Sequence, residues 1–330
     1  MRAAMAAAEV GDDVLDGDPT VRRLEQRAAE LLGKDGALFV PSGTMANQVA
    51  LGSWTRPGDE IVVERSAHVV CWEAGAPGAL HGVQPLTLHA PDGRIDPDEL
   101  RAVVRMRSTH CPRTALVCVE QSFMGSGEAA GGCVVPLEHL RAIRQRAKEL
   151  ELPVHMDGAR LFNAAIAAGE PPIEHAACAD SVSICLSKGL GAPVGSLIAG
   201  DRAFLERAKL VRKRLGGWMR QAGILAAAGL YALEHNVERL AQDHALAREL
   251  ARLLERFDGL SADPRTVDTN IVMVRVTRKG WTSDRLAREL GERGVLVLPM
   301  NASTLRFVTH LDVGPQDARR VDEALSAILT

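Results

Sequence analysis

The sequence predicts an α/β fold, with a large domain on a mostly parallel sheet and a smaller C-terminal α+β domain. Over most of the chain, short apolar runs alternate with amphipathic helical stretches, as in a parallel sheet flanked by helices. After Gly229 this pattern changes to a mixture of helices and isolated strands. A length of 330 residues also suits one large domain plus one smaller one.

The large domain is predicted to span residues 1–235. Its apolar runs predict strands at Ala37–Val40, Glu60–Glu64, Ala115–Glu120 and Pro153–Met156, and a further strand within Ala176–Leu186. Apolar residues at helical spacing predict helices at Thr44–Trp54, Leu137–Leu150 and Phe204–Leu215. The alanine-rich run Gly223–Leu233 is too short to span a bilayer and predicts a buried helix.

The C-terminal domain is predicted to span residues 236–330. The segment Tyr231–Phe257 predicts one long helix leading into it, because charged residues recur along its exposed face. The rest of this domain is predicted to contain both strands and helices. Strands are expected at Asn270–Val276, Val295–Pro299 and Arg306–Thr309, and helices at Ser283–Gly294 and from Pro315 onward.

Composition argues against several classes of partner. A formal net charge of -3 without a basic stripe argues against nucleic acid. The N-terminus lacks a long leucine-rich run, so neither a secretion signal nor a membrane contact is expected. The cysteines form no CxxC pair, which favours buried thiols in a reducing cytoplasm over a zinc site or a disulfide scaffold. They are Cys71, Cys111, Cys118, Cys133, Cys178 and Cys185.

Lys188 follows a predicted strand and is surrounded by glycines, in the segment Ser183–Gly195 (SICLSKGLGAPVG). Burial disfavours a charged lysine, so a lysine at a buried strand end requires a chemical reason. A Schiff base is one such reason, since it uses a nucleophilic amine, and neighbouring glycines let a planar ring approach the backbone. The alternative is a solvated lysine in a glycine-rich turn.

Asp157 ends the strand predicted in Pro153–Asn163 (PVHMDGARLFN). In pyridoxal-phosphate (PLP) enzymes, a carboxylate at a strand end keeps the ring nitrogen protonated, so that the ring can accept electrons. About one helix and one strand separate Asp157 from Lys188, which brings both to the edge of the sheet where ligands bind. Together they predict a PLP site; alone, Asp157 could equally be a helix cap.

An apolar strand leads into Ser42, Gly43 and Thr44 and then into a helix, in the segment FVPSGTMAN. Free N–H groups, a hydroxyl and the positive end of the helix suit a phosphate group. The alternative is an ordinary helix cap. The order along the chain, with this segment first, then the aspartate and then the lysine, favours the phosphate interpretation.

Three further side chains are candidates for the same site. His68 follows another predicted strand and could stack on a pyridine ring, or could be structural. Arg160 and Arg306 could bind a substrate carboxylate, because a guanidinium matches a carboxylate in a bidentate manner. Each arginine could instead belong to a structural ion pair.

Several long segments resemble the low-specificity L-threonine aldolases over nearly the whole chain. In order, they are VGDDV, FVPSGTMANQVAL, HMDGARLFNA, SICLSKGLGAPVGS, MRQAGILAAAG and RFVTHLDV. The resemblance implies a fold-type I PLP enzyme of the β-eliminating-lyase superfamily, and a homodimer or homotetramer with shared active sites. It also implies cleavage of a β-hydroxy-α-amino acid to glycine and an aldehyde. The substrates expected are L-threonine, L-allo-threonine or a bulkier amino acid of the phenylserine type.

The resemblance also implies roles for single residues. Lys188 matches the Schiff-base lysine, Asp157 the pyridinium partner and His68 the ring-stacking histidine. Arg160 and Arg306 match residues near the cofactor oxygen and the substrate carboxylate. The loop Ser42–Thr44 matches the phosphate site, and Arg220, in the segment MRQ, matches a residue that reaches the phosphate. No metal is expected among these residues.

The chain departs from the family at four points. Met1 aligns within the helix that follows the family's first segment, which carries a serine near the substrate carboxylate. Phe123 stands where the family has a histidine proposed to contact the substrate hydroxyl, and the loop MGSGEAAGGC after it looks longer than usual. Leu15 replaces a tyrosine, and Trp218 stands in a glycine loop near the cofactor.

These departures predict an apolar, bulky environment around the substrate side chain, with Phe123 and Trp218 as substrate contacts. Two alternatives to the aldolase therefore stay open. One is a sibling PLP enzyme that performs β-elimination, transaldol transfer or other Cα chemistry on a different amino acid. The other is a catalytically impaired homologue that still binds PLP.

Overall fold

The computed structural model describes residues 1–106, 108–125 and 131–329. Its main sheet has seven strands, namely β1 (Gly36–Val40), β2 (Glu60–Glu64), β3 (Gln84–Leu88), β4 (Thr114–Glu120), β5 (Val154–Gly158), β6 (Ser181–Cys185) and β7 (Ser196–Gly200). They lie in the order β1-β7-β6-β5-β4-β2-β3. Only β7 runs antiparallel to its neighbours, β1 and β6. This arrangement confirms the α/β fold with a mostly parallel sheet.

Helices flank this sheet and connect its strands. They are α1 (Arg2–Ala6), α2 (Pro19–Leu32), α3 (Gly43–Trp54), α4 (His68–Cys71), α5 (Ala76–His81), α6 (Pro97–Val103), α7 (Leu137–Glu149), α8 (Leu161–Ala168), α9 (Pro172–Ala176), α10 (Arg202–Arg214) and α11 (Gly223–His235). Every residue of β2, β4, β5 and β6 is buried, which explains why these strands are rich in apolar residues, with their polar residues also buried.

A second, antiparallel sheet lies in the C-terminal part. It consists of β8 (Leu260–Ser261), β9 (Ile271–Val276), β10 (Leu298–Asn301) and β11 (Thr304–Val308), in the order β10-β11-β9-β8. The helices α12 (Leu240–Leu254), α13 (Ser283–Gly291) and α14 (Pro315–Leu329) accompany it, with a short 3₁₀ turn at Pro264–Thr266. Leu240 packs into the core of the large sheet and Ala247 into a second core. The proposed boundary at residue 235 stays a prediction.

The structure corrects several element boundaries. The single helix predicted at Tyr231–Phe257 is two helices, because α11 ends at His235 and α12 begins at Leu240. At the break, Asn236 Nδ2 donates to the Leu190 carbonyl at 2.7 Å, which ties the turn to the loop that carries Lys188. The strand predicted at Val295–Pro299 lies at Leu298–Asn301, because the hairpin with β11 fixes its register.

The predicted burial of the cysteines holds for Cys118, Cys178 and Cys185 only. Cys71 is exposed, whereas Cys111 and Cys133 are half-buried, and none forms a disulfide. Residues 126–130, which make up half of the loop predicted to be long, lie outside the described residues. In the described ranges, no helix is both long enough and apolar enough to cross a membrane.

Candidate active site

A cleft with a volume of about 340 Å³ opens where several parallel strands end. Its lining includes five residues predicted from the sequence, namely His68, Asp157, Arg160, Lys188 and Arg306. The first four follow the carboxyl ends of β2, β5 and β6, and the last comes from β11 of the small sheet. The topology therefore brings these residues together at the sheet edge where ligands bind in open α/β folds.

Asp157 is a buried carboxylate that is held in its ionised form. Asn47 Nδ2 donates to its Oδ2 at 2.7 Å, and the Ala159 N–H donates to its Oδ1 at 3.0 Å. Burial acts to raise the pKa of Asp157, but the charges of Lys188 and His68 outweigh burial, so that its pKa lies below the usual value. The simple helix-cap interpretation does not fit, because α8 begins only at Leu161, with Arg160 at its cap position.

A chain of hydrogen bonds fixes the orientation of the Asn47 amide beneath Asp157. Burial lowers the pKa of His155 to about 4, so its ring is neutral. Trp54 Nε1 lies 2.9 Å from Ser181 Oγ, whose hydroxyl can donate to His155 Nδ1 at 3.0 Å. His155 Nε2 then donates to Asn47 Oδ1 at 3.2 Å, and the Nδ2 group of Asn47 is left pointing at Asp157.

His68 faces the cleft and is anchored from two sides. Its ring Nδ1 lies 2.9 Å from Glu73 Oε1, and its backbone N–H donates to Glu120 Oε2 at 2.9 Å. The hydrogen bond with Glu73 raises the pKa of His68 above its usual value, although burial acts in the opposite direction. A histidine held in this way can carry or exchange a proton at the cleft.

Arg160 and Arg306 bring two guanidinium groups to the cleft without a carboxylate partner. Neither forms an ion pair with any described residue, and the Nε atom of each is buried without a hydrogen bond. Arg306 Nη1 contacts Met124 Sδ at 3.8 Å. Burial, followed by the charge of Arg306, lowers the pKa of Arg160 to about 10. Two neighbouring cations with unused donors suit an anionic ligand such as a carboxylate.

Glu120 also lines the cleft, although the sequence reasoning did not assign it a role. Its Oε2 accepts the His68 N–H at 2.9 Å and its Oε1 accepts the Met124 N–H at 2.8 Å. Burial, together with the nearby charge of Asp157, raises the pKa of Glu120 to about 7. One sequence feature could have predicted this position of Glu120: it is a carboxylate at the end of the apolar run Ala115–Glu120. The same feature predicted Asp157.

The loop Ser42–Thr44 lies beside the strand that leads to Lys188. Ser42 Oγ accepts the Met45 N–H at 3.2 Å and caps α3. A Cβ atom on Gly43 would lie 3.5 Å from Cys185 Sγ, at the end of β6. The ordinary cap is therefore present, and the predicted phosphate contact of this loop stays a prediction.

Phe123 lies in the protein interior. Its side chain is fully buried against Gly93 and Gly125 and does not line the cleft. Phe123 forms an isolated antiparallel bridge with Cys133, whereas its neighbours Ser122 and Met124 line the cleft. The geometry of this cleft gives no support to Phe123 as a substrate contact, which stays a prediction.

Trp218 and Arg220 do not line the cleft either. Trp218 Nε1 donates to Asp13 Oδ2 at 2.7 Å, and Arg220 pairs with Asp12, so the two residues hold the N-terminal segment against the loop before α11. Leu15 is 70% exposed. Contacts of Trp218 with substrate and of Arg220 with phosphate have no support within this chain's cleft and stay predictions.

Comparisons with known proteins agree with this fold. The beta-eliminating lyase family matches residues 1–279. A low-specificity L-threonine aldolase of Escherichia coli O157:H7 is 43% identical over 323 residues, which cover 97% of this chain and 92% of that protein. Low-specificity L-threonine aldolase 1 of Arabidopsis thaliana is 42% identical over 322 residues, which cover 96% and 89%.

Similarity to solved structures supports the same fold. A Listeria monocytogenes protein assigned as an L-allo-threonine aldolase has a TM-score of 0.80 at 21% identity, covering 99% of this chain and 93% of that one. At that identity, the likeness concerns the fold alone. The family match and the two relatives decide the assignment: this chain belongs to the low-specificity L-threonine aldolase family of beta-eliminating lyases.

Proposed function

We propose that this chain is a PLP-dependent aldolase that cleaves a β-hydroxy-α-amino acid to glycine and an aldehyde. One observation carries the proposal: Lys188, Asp157 and His68 share a cleft with two guanidinium groups that lack a carboxylate partner among the described residues. The names of the relatives favour L-threonine as a substrate, and the family resemblance adds L-allo-threonine. Family resemblance further suggests a homodimer or homotetramer with shared sites, and the cysteine pattern of the sequence favours a cytoplasmic location.

The groups in the cleft fit pyridoxal 5'-phosphate. Asp157, buried and kept anionic, would hold a protonated ring nitrogen, and Lys188 would supply the amine that attaches the cofactor. His68 would stack on the ring, and the unused Nε donor of Arg160 would serve an oxygen of the cofactor or substrate. The loop Ser42–Thr44 would bind the phosphate. When bound, the cofactor supplies an electron sink for the bond that breaks at Cα.

The side chains of the cleft would bind and orient the substrate. Arg306 and Arg160 would bind its carboxylate, which directs the Cα–Cβ bond within the site. The proton of the β-hydroxyl would go to a group whose pKa is close to the working pH. Glu120, with a pKa of about 7, and His68, whose Nδ1 is held by Glu73, are the candidates for this role.

Three large apolar side chains also line the cleft. They are Trp72, Met124 and Leu298, and the first and last of these are almost half exposed. Such a lining suits an aromatic or branched substituent at Cβ better than a bare methyl group, since apolar area buried there contributes binding free energy. This observation favours phenylserine-type substrates beside threonine, and also keeps a sibling enzyme with another amino-acid substrate as the second candidate.

The aldolase proposal is tested by incubating PLP-saturated protein with L-threonine, L-allo-threonine and phenylserine and measuring glycine and aldehyde together. Equal amounts of both products are expected, and Lys188→Ala should abolish them together with the visible absorbance of the bound cofactor. Lys279→Ala, at an exposed position, is the matched control. If no product forms while another amino acid alters the absorbance, the sibling enzyme is the better interpretation. If saturated protein shows no visible absorbance, the cofactor assignment is wrong.

A further inference from the structure

Glu73 is a buried carboxylate, 4% exposed, that lies just behind His68. Its Oε1 lies 2.9 Å from His68 Nδ1 and accepts from Asn47 Nδ2 at 2.8 Å. Its Oε2 accepts from Gln48 Nε2 at 2.6 Å. Three donors therefore converge on a single carboxylate, which is the acceptor in all three contacts.

We propose that Glu73 is a positioning residue that fixes the tautomer and the charge of His68 and links His68 to Asp157. The inference deepens the proposed function, because His68 matters to catalysis only if the cleft is the active site. Nothing in the sequence marked Glu73, since it lies in a short irregular connection after α4 rather than at a strand end.

The tautomer follows from the hydrogen-bonding inventory. An ionised carboxylate can only accept hydrogen bonds, so His68 Nδ1 must carry the proton that it shares with Glu73. The other ring nitrogen, Nε2, is then the one whose proton changes when His68 titrates. Glu73 thus restricts proton exchange at the cleft to Nε2 of His68. Carboxylate partners of histidine have this effect in other sites as well.

The link to Asp157 runs through a single amide. Asn47 Nδ2 donates one hydrogen to Glu73 Oε1 at 2.8 Å and the other to Asp157 Oδ2 at 2.7 Å. One potential metal-ligating atom from each of His68, Glu73 and Asp157 lies within 4.8 Å of the other two. The amide and the imidazole occupy the oxygens that a cation would need, so we assign the cluster to hydrogen bonding rather than to a metal.

Three acidic groups face His68 from different elements. Glu73 comes from the connection after α4, Asp157 from β5, and Glu120 from β4. All three favour the charged imidazolium and burial opposes it, with the hydrogen bond to Glu73 as the largest influence that raises the pKa of His68. The cations Lys188, Arg160 and Arg306 line the same cleft. Removing the charge of Glu73 while retaining its shape should therefore shift the titration of His68 to lower pH.

Glu73→Gln is the variant that removes this charge with least disturbance. Its carbonyl oxygen can still accept from His68 and Asn47, and its new NH2 group would face Gln48. Gln48 Oε1 is buried without a hydrogen-bond partner, so a flip of that amide would provide an acceptor. The matched control is Glu60→Gln, which also removes a buried carboxylate but at the opposite end of β2, where Glu60 pairs with Arg105.

The experiment is an NMR titration of the full-length protein with ¹⁵N-labelled histidine rings, with the His68 signal identified by its loss in His68→Asn. Wild-type His68 should show the Nδ1–H tautomer when neutral. Its titration midpoint should move to lower pH in Glu73→Gln and stay unchanged in Glu60→Gln. In turnover assays, the limb of the pH profile that reports His68 should move in the same direction.

Two results would overturn the inference. One is an Nε2–H tautomer in the wild-type protein, which can be measured even if Glu73→Gln does not fold. The other is an unchanged His68 midpoint in folded Glu73→Gln. Both readouts are independent of glycine formation, so a failure of the aldolase proposal and a failure of this inference are distinguished.

Discussion

Glu120 and Asp157 lie directly opposite each other at the ends of two adjacent parallel strands, β4 and β5. Their carboxyl groups share one edge of the sheet, yet their environments differ. Asp157 is kept ionised by Lys188 and His68 against the effect of burial, whereas burial and the charge of Asp157 raise the pKa of Glu120 to about 7. Two carboxylates whose pKa values are driven apart are typical of sites where one holds charge and the other moves a proton.

The first prediction concerns Glu120→Gln. If Glu120 accepts the substrate proton, it must be ionised, so activity should rise with pH through about 7 in the wild-type enzyme. The variant should lose that limb of the profile and about 100-fold in kcat. A pH series of kcat/KM measures both effects, and circular dichroism checks the fold. A limb that persists in the variant would assign the proton transfer to His68 instead.

The second prediction concerns Asp157→Asn. The amide keeps the size of the side chain and removes the charge that would hold a protonated ring nitrogen, so kcat should fall at least about 100-fold. Cofactor binding should also weaken, and a fluorescence titration with PLP measures this loss. Asp258→Asn, at an exposed position, should leave both quantities unchanged. Full activity in Asp157→Asn would contradict the role of Asp157.

The third prediction concerns the carboxylate site. Arg306→Lys keeps the positive charge but loses the bidentate fork, so KM should rise about tenfold or more while kcat changes less. Initial-rate measurements over a range of substrate concentrations separate the two constants. Arg275→Lys, on the neighbouring strand β9 and exposed, is the matched control. Equal KM values in the two variants would exclude Arg306 as the residue that binds the substrate carboxylate.

Sequence patterns predicted most strands of the large sheet and the site residues that lie at the ends of those strands. Lys188, Asp157 and His68 could be placed at one edge because each follows a buried apolar run, and the topology brings them into one cleft. Glu120 carried the same signal and was overlooked. Glu73 and Asn47 carried no signal, because their roles depend on contacts between segments that are distant in sequence or irregular in structure.

Side-chain direction was harder to predict than position. The motif comparison places Phe123 in a segment that reaches the cleft, but its ring is buried there, while the side chains of Ser122 and Met124 line the cleft. The helix break at Asn236 was also missed, since helical periodicity continues across it and only a tertiary hydrogen bond to Leu190 marks it.

The fourth prediction concerns stability in acid. The pKa of His155 falls from 6.5 to about 4 on burial, so the unfolded chain binds a proton between these values while the folded chain does not. The free energy of unfolding should therefore decrease as pH falls from 6.5 to 4, by up to about 3 kcal/mol from this group. His155→Gln should flatten that part of the curve, whereas His110→Gln, at an exposed position, should not. Urea unfolding at a series of pH values measures the difference, and identical slopes in all three proteins would refute it.

The last prediction concerns Phe123, the position at which the family has a histidine. If the chain had lost hydroxyl recognition there, Phe123→His should restore threonine cleavage. The structure predicts otherwise, because the ring is buried against Gly93 and Gly125 and an imidazole there would be desolvated without gaining contact with the cleft. We expect no gain in kcat and a loss of about 2–4 kcal/mol in stability, measured by urea unfolding. Met124→His places the ring on the side that faces the cleft and is the paired variant. If threonine cleavage rose in Phe123→His and not in Met124→His, the segment would have to rearrange on substrate binding so that the side chain at position 123 enters the cleft.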